Sequence, residues 1–360
     1  MSEGITILPA TAEDYEELMA ISVGIYNGTD YLPCSYHEWL EDPQRRMFVA
    51  KCEGKVVGFQ TFLLVDGGVT AVMEGLRIAP WMRGQRVAGI IKRFAIDIVR
   101  SDHPEVKTIR LTCAENPPPS LLNTYTLISS KAVISVHLPF GQFEGSLKML
   151  ESRVGKVDSS NNHSVLEPTE VFKLFEGTKI EELLPGKRLI QDWLPLTTHR
   201  ANLELLLERR IFWIYSHQSN FLSSPNNTNS DPNSCQPSEI SESTPSSDFP
   251  AMTQSLPAPV LSSINYSSPV FLSLGSPPYP VPLAEGMHVL EIDLFGNDPA
   301  CSKIHVLQQL QKGIQALPAK CDLIFVMYAE ENLRAELNDL CEGLIPFHRM
   351  KKQLLLEMNL

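Results

Sequence analysis

The chain has 360 residues, 43% of them hydrophobic, and a formal net charge of −12. This length suffices for two domains, and the acidic balance argues against a general nucleic-acid-binding protein, whose binding domain would be basic. No apolar run is long enough to span a bilayer, and the N-terminus lacks the basic segment and apolar core of a signal peptide.

Cysteine and histidine spacing indicates neither a disulfide framework nor a metal centre. The seven cysteines are scattered, odd in number and form no CxxC pair, which is typical of reduced thiols in a cytoplasmic protein. The nine histidines form no HxxxH or HExxH pattern, so we expect no zinc or other metal site.

The first part of the chain predicts alternating strands and helices. "ITIL" predicts a strand, and "TAEDYEELMAISVG" predicts a helix with Thr11 as its N-cap. After a polar and aromatic connection, "RMFVAKCEG", "KVVGFQTFLLVDGG" and "VTAVMEGLRIAP" predict a three-stranded meander. A helix from Gln85 to about Ser101 follows, then a strand in "VKTIRLTCAEN", a helix in "PPSLLNTYTLISSKA" and a closing strand in "VISVHL".

The later part of the chain repeats this order around an unusual insertion. A segment at about residues 219–263 is rich in Ser, Pro and Asn, and we expect it to be disordered. "RRIFWIYSH" and "PVFLSLG" predict strands on either side of it, and "MHVLEIDLFGND", "CSKIHVLQQLQKGIQAL" and "KCDLIFVMYAEEN" predict a strand, a helix and a strand. The pattern has two interpretations: a second, diverged copy of the first unit, or a chance likeness between two ordinary αβ units.

The stretch "EGLRIAPWMRGQRVAGIIKRF" carries the clearest chemical signal. Its turn opens a helix, and the unpaired amides and positive dipole of a helix start favour an anion. Arg83 and Arg86 add positive charge, so a diphosphate would suit this place. The stretch contains neither GxxxxGK[ST] nor GxGxxG, so it is not a P-loop or a dinucleotide fingerprint.

This stretch resembles the acetyl-CoA motif of the GNAT superfamily of N-acetyltransferases, R/Q-x-x-G-x-G/A. Arg83 matches the first position of the motif and Ala88 the last, whereas Arg86 stands where the family prefers glycine. The whole chain is similar to the histidine N-acetyltransferases of vertebrates. The resemblance implies an α/β (α+β) GNAT fold, a mixed central sheet with flanking helices, over residues 3–147. A second, degenerate GNAT-like αβ domain would occupy residues 165–360, including the insertion.

The resemblance also implies acetyl-CoA as co-substrate, with no metal. The contact residues it implies are Leu76, Arg77, Ile78, Arg83, Gly84, Gln85, Arg86, Val87, Ala88 and Gly89. Backbone groups of Leu76 and Ile78 would pair with the pantetheine arm. Gly75 predicts a β-bulge, which in this family helps to separate two strands and open a slot for that arm. We expect Arg86 to lie inside the first helical turn, where no positive φ is needed, and to bind phosphate; alternatively it is only a solvated helix charge.

Two residues are candidates for catalysis. Glu74 lies on the same strand face as apolar neighbours, and a lone carboxylate in such surroundings suits a general base; alternatively it faces solvent at a sheet edge. In the family, a tyrosine in the helix after the fifth strand protonates the thiolate of coenzyme A, and Tyr125 matches that place. The alternative for Tyr125 is a core tyrosine.

Tyr31, Tyr36 and Trp39 lie in the connection that borders the acceptor pocket in this fold. An imidazole could stack on such rings; the alternative is local packing. The C-terminal unit has no phosphate turn, and we expect it to wall off the acceptor site.

Three functions are compatible with these residues. The first is transfer of acetyl from acetyl-CoA to the α-amino group of free L-histidine, a small-molecule acceptor, giving N-acetyl-L-histidine and CoA. The second keeps the chemistry but changes the acceptor to a protein N-terminus, a lysine or another small amine, where the acidic surface would steer a basic partner. The third is a non-catalytic scaffold that binds acetyl-CoA. We expect no nucleic-acid or membrane partner, and the sequence gives no oligomeric state.

Overall fold

A computed structural model of the protein describes residues 4–154, 161–176, 180–218, 269–282, 286–318 and 320–360. The predicted disordered segment at about 219–263 lies outside the described residues. In the part that is described, no helix is both long enough and apolar enough to cross a bilayer.

The N-terminal part follows the predicted alternation closely. Its elements are β1 (Ile5–Pro9), α1 (Tyr15–Ile21), α2 (Leu32–Glu41), β2 (Arg45–Cys52), β3 (Lys55–Val65), β4 (Thr70–Ile78), α3 (Val87–Asp102), β5 (Thr108–Ala114), α4 (Pro119–Leu122), β6 (Thr126–Leu138) and α5 (Phe143–Val154). Thr11 caps the first helical segment, and its backbone N–H donates to Asp14 at 2.8 Å. The amphipathic α3 buries Val87, Ile91 and Val99 and packs on the sheet through β3.

Two local predictions in this part are wrong. The aromatic connection after α1 contains α2, a helix with a proline in its first turn. The helix predicted over "PPSLLNTYTLISSKA" ends at Leu122, and the chain continues from Thr126 as the long strand β6. β-branched residues favour a strand there, and β6 gains strand partners on both sides. Tyr125 therefore lies at the start of a strand and not in a helix.

The C-terminal part repeats the series of elements. It contains β7 (Asn161–Val165), α6 (Pro168–Glu176), α7 (Ile180–Leu183), β8 (Arg188–Gln191), β9 (Leu194–Thr197), α8 (Arg200–Glu208), β10 (Phe212–Gln218), β11 (Pro269–Gly275), β12 (Tyr279–Pro280), β13 (His288–Phe295), α9 (Pro299–Ala316), β14 (Leu323–Ala329), α10 (Arg334–Leu340), β15 (Ile345–Pro346) and β16 (Lys352–Asn359). The strands predicted on either side of the insertion, β10 and β11, pair antiparallel as expected.

One mixed sheet runs through both parts. Over the described ranges it has 14 strands. Twelve of them follow the order β1-β2-β3-β4-β5-β16-β6-β14-β13-β11-β10-β7, and the short strands β12 and β15 pair with β13 and β6. The order β1 to β5 reappears in reverse as β14, β13, β11, β10 and β7, and both series have one parallel pair, β4/β5 and β13/β14. The C-terminal strand β16 pairs with β5, and β6 pairs with β14. Each part thus places its last strand beside the fifth strand of the other, so the two parts share one sheet.

Candidate active site

β4 and β5 separate after a short paired stretch. They pair in parallel only from Thr70 opposite Thr108 to Val72 opposite Arg110, although both strands continue further. Beyond this stretch the facing backbone of β4 has no strand partner on the β5 side, which opens a slot between the two strands.

A bulge on β4 accompanies this separation, as predicted. Phe59 pairs with Arg77 and Thr61 with Glu74, so β4 has one residue more than β3 over this stretch. Gly75 lies in the bulge with φ +72°, where a Cβ atom would meet the side chains of Phe59 and Thr61 at 3.0 Å each. Both the left-handed backbone and the close contacts therefore require glycine at this position.

A cavity of about 310 Å³ occupies the slot. Residues of β4 and β5 line its walls, and Lys92 of α3 and Trp193 of the β8–β9 hairpin close it. Leu76 and Arg77 line this cavity, whereas Ile78, whose backbone was also expected to pair with the pantetheine arm, is not among its lining residues. The side chain of Arg77, however, turns to a buried ion pair with Asp30 at 2.6 Å, so it fixes the neighbouring loop and leaves only its backbone for a ligand.

The predicted phosphate turn follows the end of β4, one of the two strands that border the slot. The first backbone bond of α3 runs from the Ile90 N–H to the Arg86 carbonyl at 3.1 Å. The amides of Val87, Ala88 and Gly89 thus precede any intrahelical partner. Arg86 is the N-cap residue and its side chain makes no capping bond. These amides are therefore available to an anion, with the positive end of the helix dipole behind them.

The conformation of Arg86 differs from the expectation. Arg86 has φ +66°, and Gly84 has φ +78°. The turn thus uses two left-handed residues to bring the chain from Arg83 into the helix, and the second of them is not glycine. A left-handed residue with a side chain costs about 1–2 kcal/mol, which explains why the family motif prefers glycine here. The side chains of Arg83, Gln85 and Arg86 are exposed around the turn, and Arg83 Nε lies 3.4 Å from the Ile78 carbonyl oxygen.

Glu74 is not the lone carboxylate that the sequence suggests. Arg45 Nη1 donates to Glu74 Oε1 at 2.5 Å, and the two side chains are 0% and 9% exposed. Arg45 reaches Glu74 from β2 because its strand partner Leu63 pairs in turn with Val72, two residues before Glu74 on the same face. Arg45 also lies over the Trp39 ring, 3.9 Å from its centroid. The carboxylate is thereby fixed in one orientation.

A second cavity, of about 200 Å³, lies on the other side of Glu74. Tyr31, Trp39 and Glu74 of the N-terminal part line it together with Asp192, Trp193 and Arg209 of the C-terminal part. Tyr31, Glu74 and Trp193 line both cavities. Both cavities therefore border the glutamate, and residues of the C-terminal part form one wall of the second cavity.

The remaining predicted residues lie in different surroundings. Tyr36 is fully buried and its hydroxyl donates to the Thr11 carbonyl at 2.7 Å, apart from both cavities. Tyr125 is also buried, and its hydroxyl has no hydrogen-bond partner among the described residues. Burial raises the pKa of Tyr125 to about 12. Tyr125 does not line the slot itself, but the ammonium group of Lys92, which does, lies 5.7 Å from the Tyr125 ring centroid.

Sequence reasoning did not find four residues of this site: Arg45, Asp192, Trp193 and Arg209. Asp192 and Trp193 form the two-residue tip of the β8–β9 hairpin. Their local sequence, "QDWL", has no motif, and only the fold brings it to Glu74. In the part of the chain described, no group of three or more His, Cys, Asp or Glu side chains could hold a metal ion.

Comparisons with known proteins agree with this geometry. The acetyltransferase (GNAT) family model matches residues 12–124, and the model "Histidine N-acetyltransferase, C-terminal" matches residues 159–233 and 259–330. "Probable N-acetyltransferase 16" of Homo sapiens is 30% identical over 375 residues, covering 100% of this chain and 87% of the relative. "Histidine N-acetyltransferase" of Scomber australasicus is 28% identical over 358 residues, covering 97% and 91%.

A solved structure supports the tandem arrangement. The tandem GNAT protein from the clavulanic acid biosynthesis pathway superposes with a TM-score of 0.52 at 12% identity, covering 99% of this chain and 98% of that one. At this identity the likeness concerns the fold alone. GNAT enzymes use acetyl-CoA as co-substrate, and the slot with its phosphate turn is in the N-terminal part that matches the family. The chain belongs to the GNAT family of N-acetyltransferases and carries a second GNAT-like domain that matches the C-terminal model of the histidine N-acetyltransferases.

Proposed function

We propose that the protein transfers acetyl from acetyl-CoA to the α-amino group of free L-histidine, releasing N-acetyl-L-histidine and CoA. The observation that carries this proposal is that two cavities border Glu74, one between the separated strands and one lined by aromatic and charged side chains. The names of the relatives add histidine as the acceptor.

The cofactor residues act by binding and orientation. The amides at the start of α3, with Arg83 and Arg86, would hold the diphosphate. The β4 backbone around Leu76 and Ile78 would pair with the pantetheine arm, as a missing strand would. Acetyl-CoA supplies the thioester, whose carbonyl carbon the acceptor amine attacks. This arrangement points the thioester towards Glu74 at the inner end of the slot.

Glu74 is the proposed general base. An α-ammonium group cannot attack a thioester until it loses a proton, and Glu74 is a carboxylate that borders both cavities. Through a bound water it would take this proton while Arg45 holds it in place. Tyr31 and Trp39 would flank the acceptor ring.

Tyr125 is the proposed proton donor to the leaving thiolate. With its pKa raised to about 12, against about 8.5 for a thiol, the proton transfer is uphill. The nearby Lys92 ammonium would stabilise the thiolate meanwhile. We therefore expect a smaller contribution from Tyr125 than from Glu74.

The test is an acceptor panel. The protein is incubated with acetyl-CoA and, separately, each free amino acid, histamine and a short peptide with a free N-terminus, and thiol release is measured. L-histidine should have the highest kcat/KM, exceeding lysine and the peptide by at least about tenfold. A higher value for lysine or the peptide would contradict the histidine assignment. Acetyl-CoA binding without thiol release for any amine would favour the scaffold.

A further inference from the structure

Four charged side chains line the second cavity, the proposed acceptor cavity: Glu38, Glu74, Asp192 and Arg209. Glu38 is an exposed residue of α2, and the proposed chemistry uses neither Asp192 nor Arg209. Of the charged side chains that line it, Glu74 is already paired with Arg45. Arg209 and Asp192 lie on the C-terminal wall of the same cavity. What these two groups bind would decide which amine the enzyme accepts.

Arg209 is a charged residue of the cavity wall that has no ion-pair partner within the protein as described. It ends helix α8, where its backbone N–H donates to the last carbonyls of the helix, and its side chain extends to the cavity. Over the described ranges, no carboxylate lies within ion-pair distance of it. Burial lowers the pKa of Arg209, although the charges of Glu74 and Glu38 act in the opposite direction. A carboxylate bound in the cavity would offset this desolvation.

Asp192 has a side-chain acceptor without a donor in the part of the chain described. It has φ +56°, a left-handed conformation that aspartate tolerates in tight turns. Backbone bonds hold it there: its N–H donates to Asp293 Oδ2 at 2.7 Å, and its carbonyl accepts from Gln353 Nε2 at 2.6 Å. Its side-chain Oδ1 is buried without a hydrogen-bond partner among the described residues.

The surroundings of Asp192 are short of hydrogen-bond donors. Burial, and then the charges of Glu291 and Asp293, raise the pKa of Asp192 well above its ordinary value, while Arg349 acts in the opposite direction. Arg349 itself is already bonded to Glu291. An N–H donor from a ligand would therefore satisfy an acceptor that the protein leaves unpaired. The adjacent Trp193 offers a flat apolar surface for a planar ring.

We propose that Arg209 binds the α-carboxylate of the acceptor and that Asp192 accepts a hydrogen bond from an N–H of its imidazole ring. This assignment rests on the proposed function and adds the groups that choose the substrate. An amino acid bound at both points would present its α-amino group towards Glu74, the residue shared with the cofactor slot. The acceptor class is thus a free α-amino acid whose planar side chain carries an N–H donor, and a peptide N-terminus, which has no carboxylate in this place, fits poorly.

The test pairs each substitution with a ligand that lacks its partner group. Histamine has the ring but no carboxylate, and 2-thienylalanine has the carboxylate but a ring without an N–H. Arg209→Gln should lower kcat/KM for L-histidine at least about tenfold and leave histamine nearly unchanged. Arg209→Lys should recover part of the loss. Asp192→Gly, which tolerates the left-handed turn and removes the acceptor, should reduce the preference for L-histidine over 2-thienylalanine at least about tenfold.

A binding readout and matched controls separate recognition from folding. L-histidine, added with CoA, should raise the melting temperature of the wild-type protein but not of Arg209→Gln. Arg210→Gln and Glu53→Gly change exposed residues outside the cavity, and Glu53 has a left-handed backbone like that of Asp192. Both variants should keep the wild-type substrate preference and the wild-type rise in melting temperature with L-histidine. Equal losses for histidine and histamine in Arg209→Gln, or an unchanged preference in Asp192→Gly, would overturn the assignment while leaving the histidine function intact. A wild-type protein that acetylates no histidine would overturn both.

Discussion

The two parallel strand pairs, β4/β5 and β13/β14, occupy equivalent places in the two halves, yet only the first pair opens. β4 and β5 are paired over three residues, whereas β13 and β14 are paired over six, from His288 opposite Leu323 to Asp293 opposite Tyr328. β13 has no bulge against β11, and all eight of its residues are buried. The C-terminal half therefore lacks the slot, and its strands serve as core.

The helices that follow these strands differ in the same sense. α3 begins at Arg86, whose side chain makes no capping bond. α9 begins at Asp298, whose carboxylate accepts from the Cys301 N–H at 2.7 Å, with a proline in its first turn. The carboxylate of Asp298 thus accepts from an amide at the start of α9, whereas the amides at the start of α3 have no capping side chain. The two halves therefore share a fold but differ in their helix starts, one without and one with a capping side chain.

Glu74, the proposed general base, lies in the half whose strands separate, and removing its basicity should have the largest effect on turnover. Glu74→Gln should lower kcat at pH 7 by roughly 10²–10⁴-fold, the usual contribution of a general base, while acetyl-CoA still binds. Steady-state rates and calorimetry measure the two effects. Rates should partly recover at higher pH, because a growing fraction of the amine is already neutral. The control Glu144→Gln alters a side chain that is 85% exposed, and turnover of Glu74→Gln close to that control at every pH would rule Glu74 out as the base.

Asp66 connects the two halves through hydrogen bonds. Asp66 lies in the turn between β3 and β4 and accepts from Arg110 Nη1 at 2.5 Å, from Thr197 Oγ1 at 2.7 Å and from Asn202 Nδ2 at 2.6 Å. Asp66→Ala removes the acceptor shared by Arg110, Thr197 and Asn202, although Arg110 keeps its ion pair with Glu357. The buried donors left without an acceptor should cost about 1–3 kcal/mol of unfolding free energy. Denaturant unfolding measures this. Glu204→Ala removes an exposed pair on α8 and should cost about 0.5 kcal/mol or less.

Lowering the pH should weaken the same contacts of Asp66. Burial alone would raise the pKa of Asp66, but hydrogen bonds from Thr197, Thr70 and Asn202 and the charge of Arg110 outweigh it, so the pKa is lowered. A lowered folded-state pKa contributes stability that is present above the ordinary value of about 3.9 and is lost as the pH falls through the folded value. The difference in stability between wild type and Asp66→Ala should therefore shrink below about pH 4. A difference that stays constant to pH 2 would mean that the carboxylate charge is not what stabilises the junction.

Sequence reasoning found the parts of this molecule that local patterns encode. The meander, the bulge at Gly75 and the helix start after Arg83 all follow from glycine, charge and periodicity within about 30 residues. It missed Arg45 beside Glu74, because that contact depends on register across three strands. It also missed the exchange of β6 and β16, since apolar alternation marks a strand but not its neighbour. Asp192, Trp193 and Arg209 were invisible for the same reason: their role depends on contacts across more than 100 residues of chain.

Closing the slot should weaken acetyl-CoA binding as well as lower the free energy of unfolding. Gly75→Ala places a Cβ 3.0 Å from Phe59 and Thr61 in a left-handed residue, which should cost about 1–2 kcal/mol of unfolding free energy. The displaced β4 backbone should also weaken acetyl-CoA binding by about tenfold or more, since precise pairing with the ligand is lost. Gly145→Ala, where no neighbour lies within 4 Å and φ is not positive, is the control. Wild-type acetyl-CoA affinity in Gly75→Ala would separate the bulge from the binding site.

The smallest expected change in stability concerns Arg86. It should be a gain, whereas substitution of the N-cap residue at the start of α9 should cause a loss. Arg86→Gly removes a left-handed strain of about 1–2 kcal/mol and adds about 0.5–1 kcal/mol of glycine entropy cost, so stability should rise by roughly 0.5–1 kcal/mol. Asp298→Ala, at the other helix start, should instead lower stability by about 1 kcal/mol, because a cap is lost.

Glu53→Gly separates strain from charge at Arg86. Glu53 is an exposed residue with φ +51° in the β2–β3 turn, so its replacement should give a similar gain in stability without affecting the ligand. If Arg86 binds phosphate, Arg86→Gly should also weaken acetyl-CoA binding by about tenfold, the value of one charge-assisted contact, and the loss should shrink at high salt. If calorimetry finds the affinity of Arg86→Gly equal to that of Glu53→Gly, Arg86 is a solvated helix charge. The strain of its backbone would then remain without a functional reason.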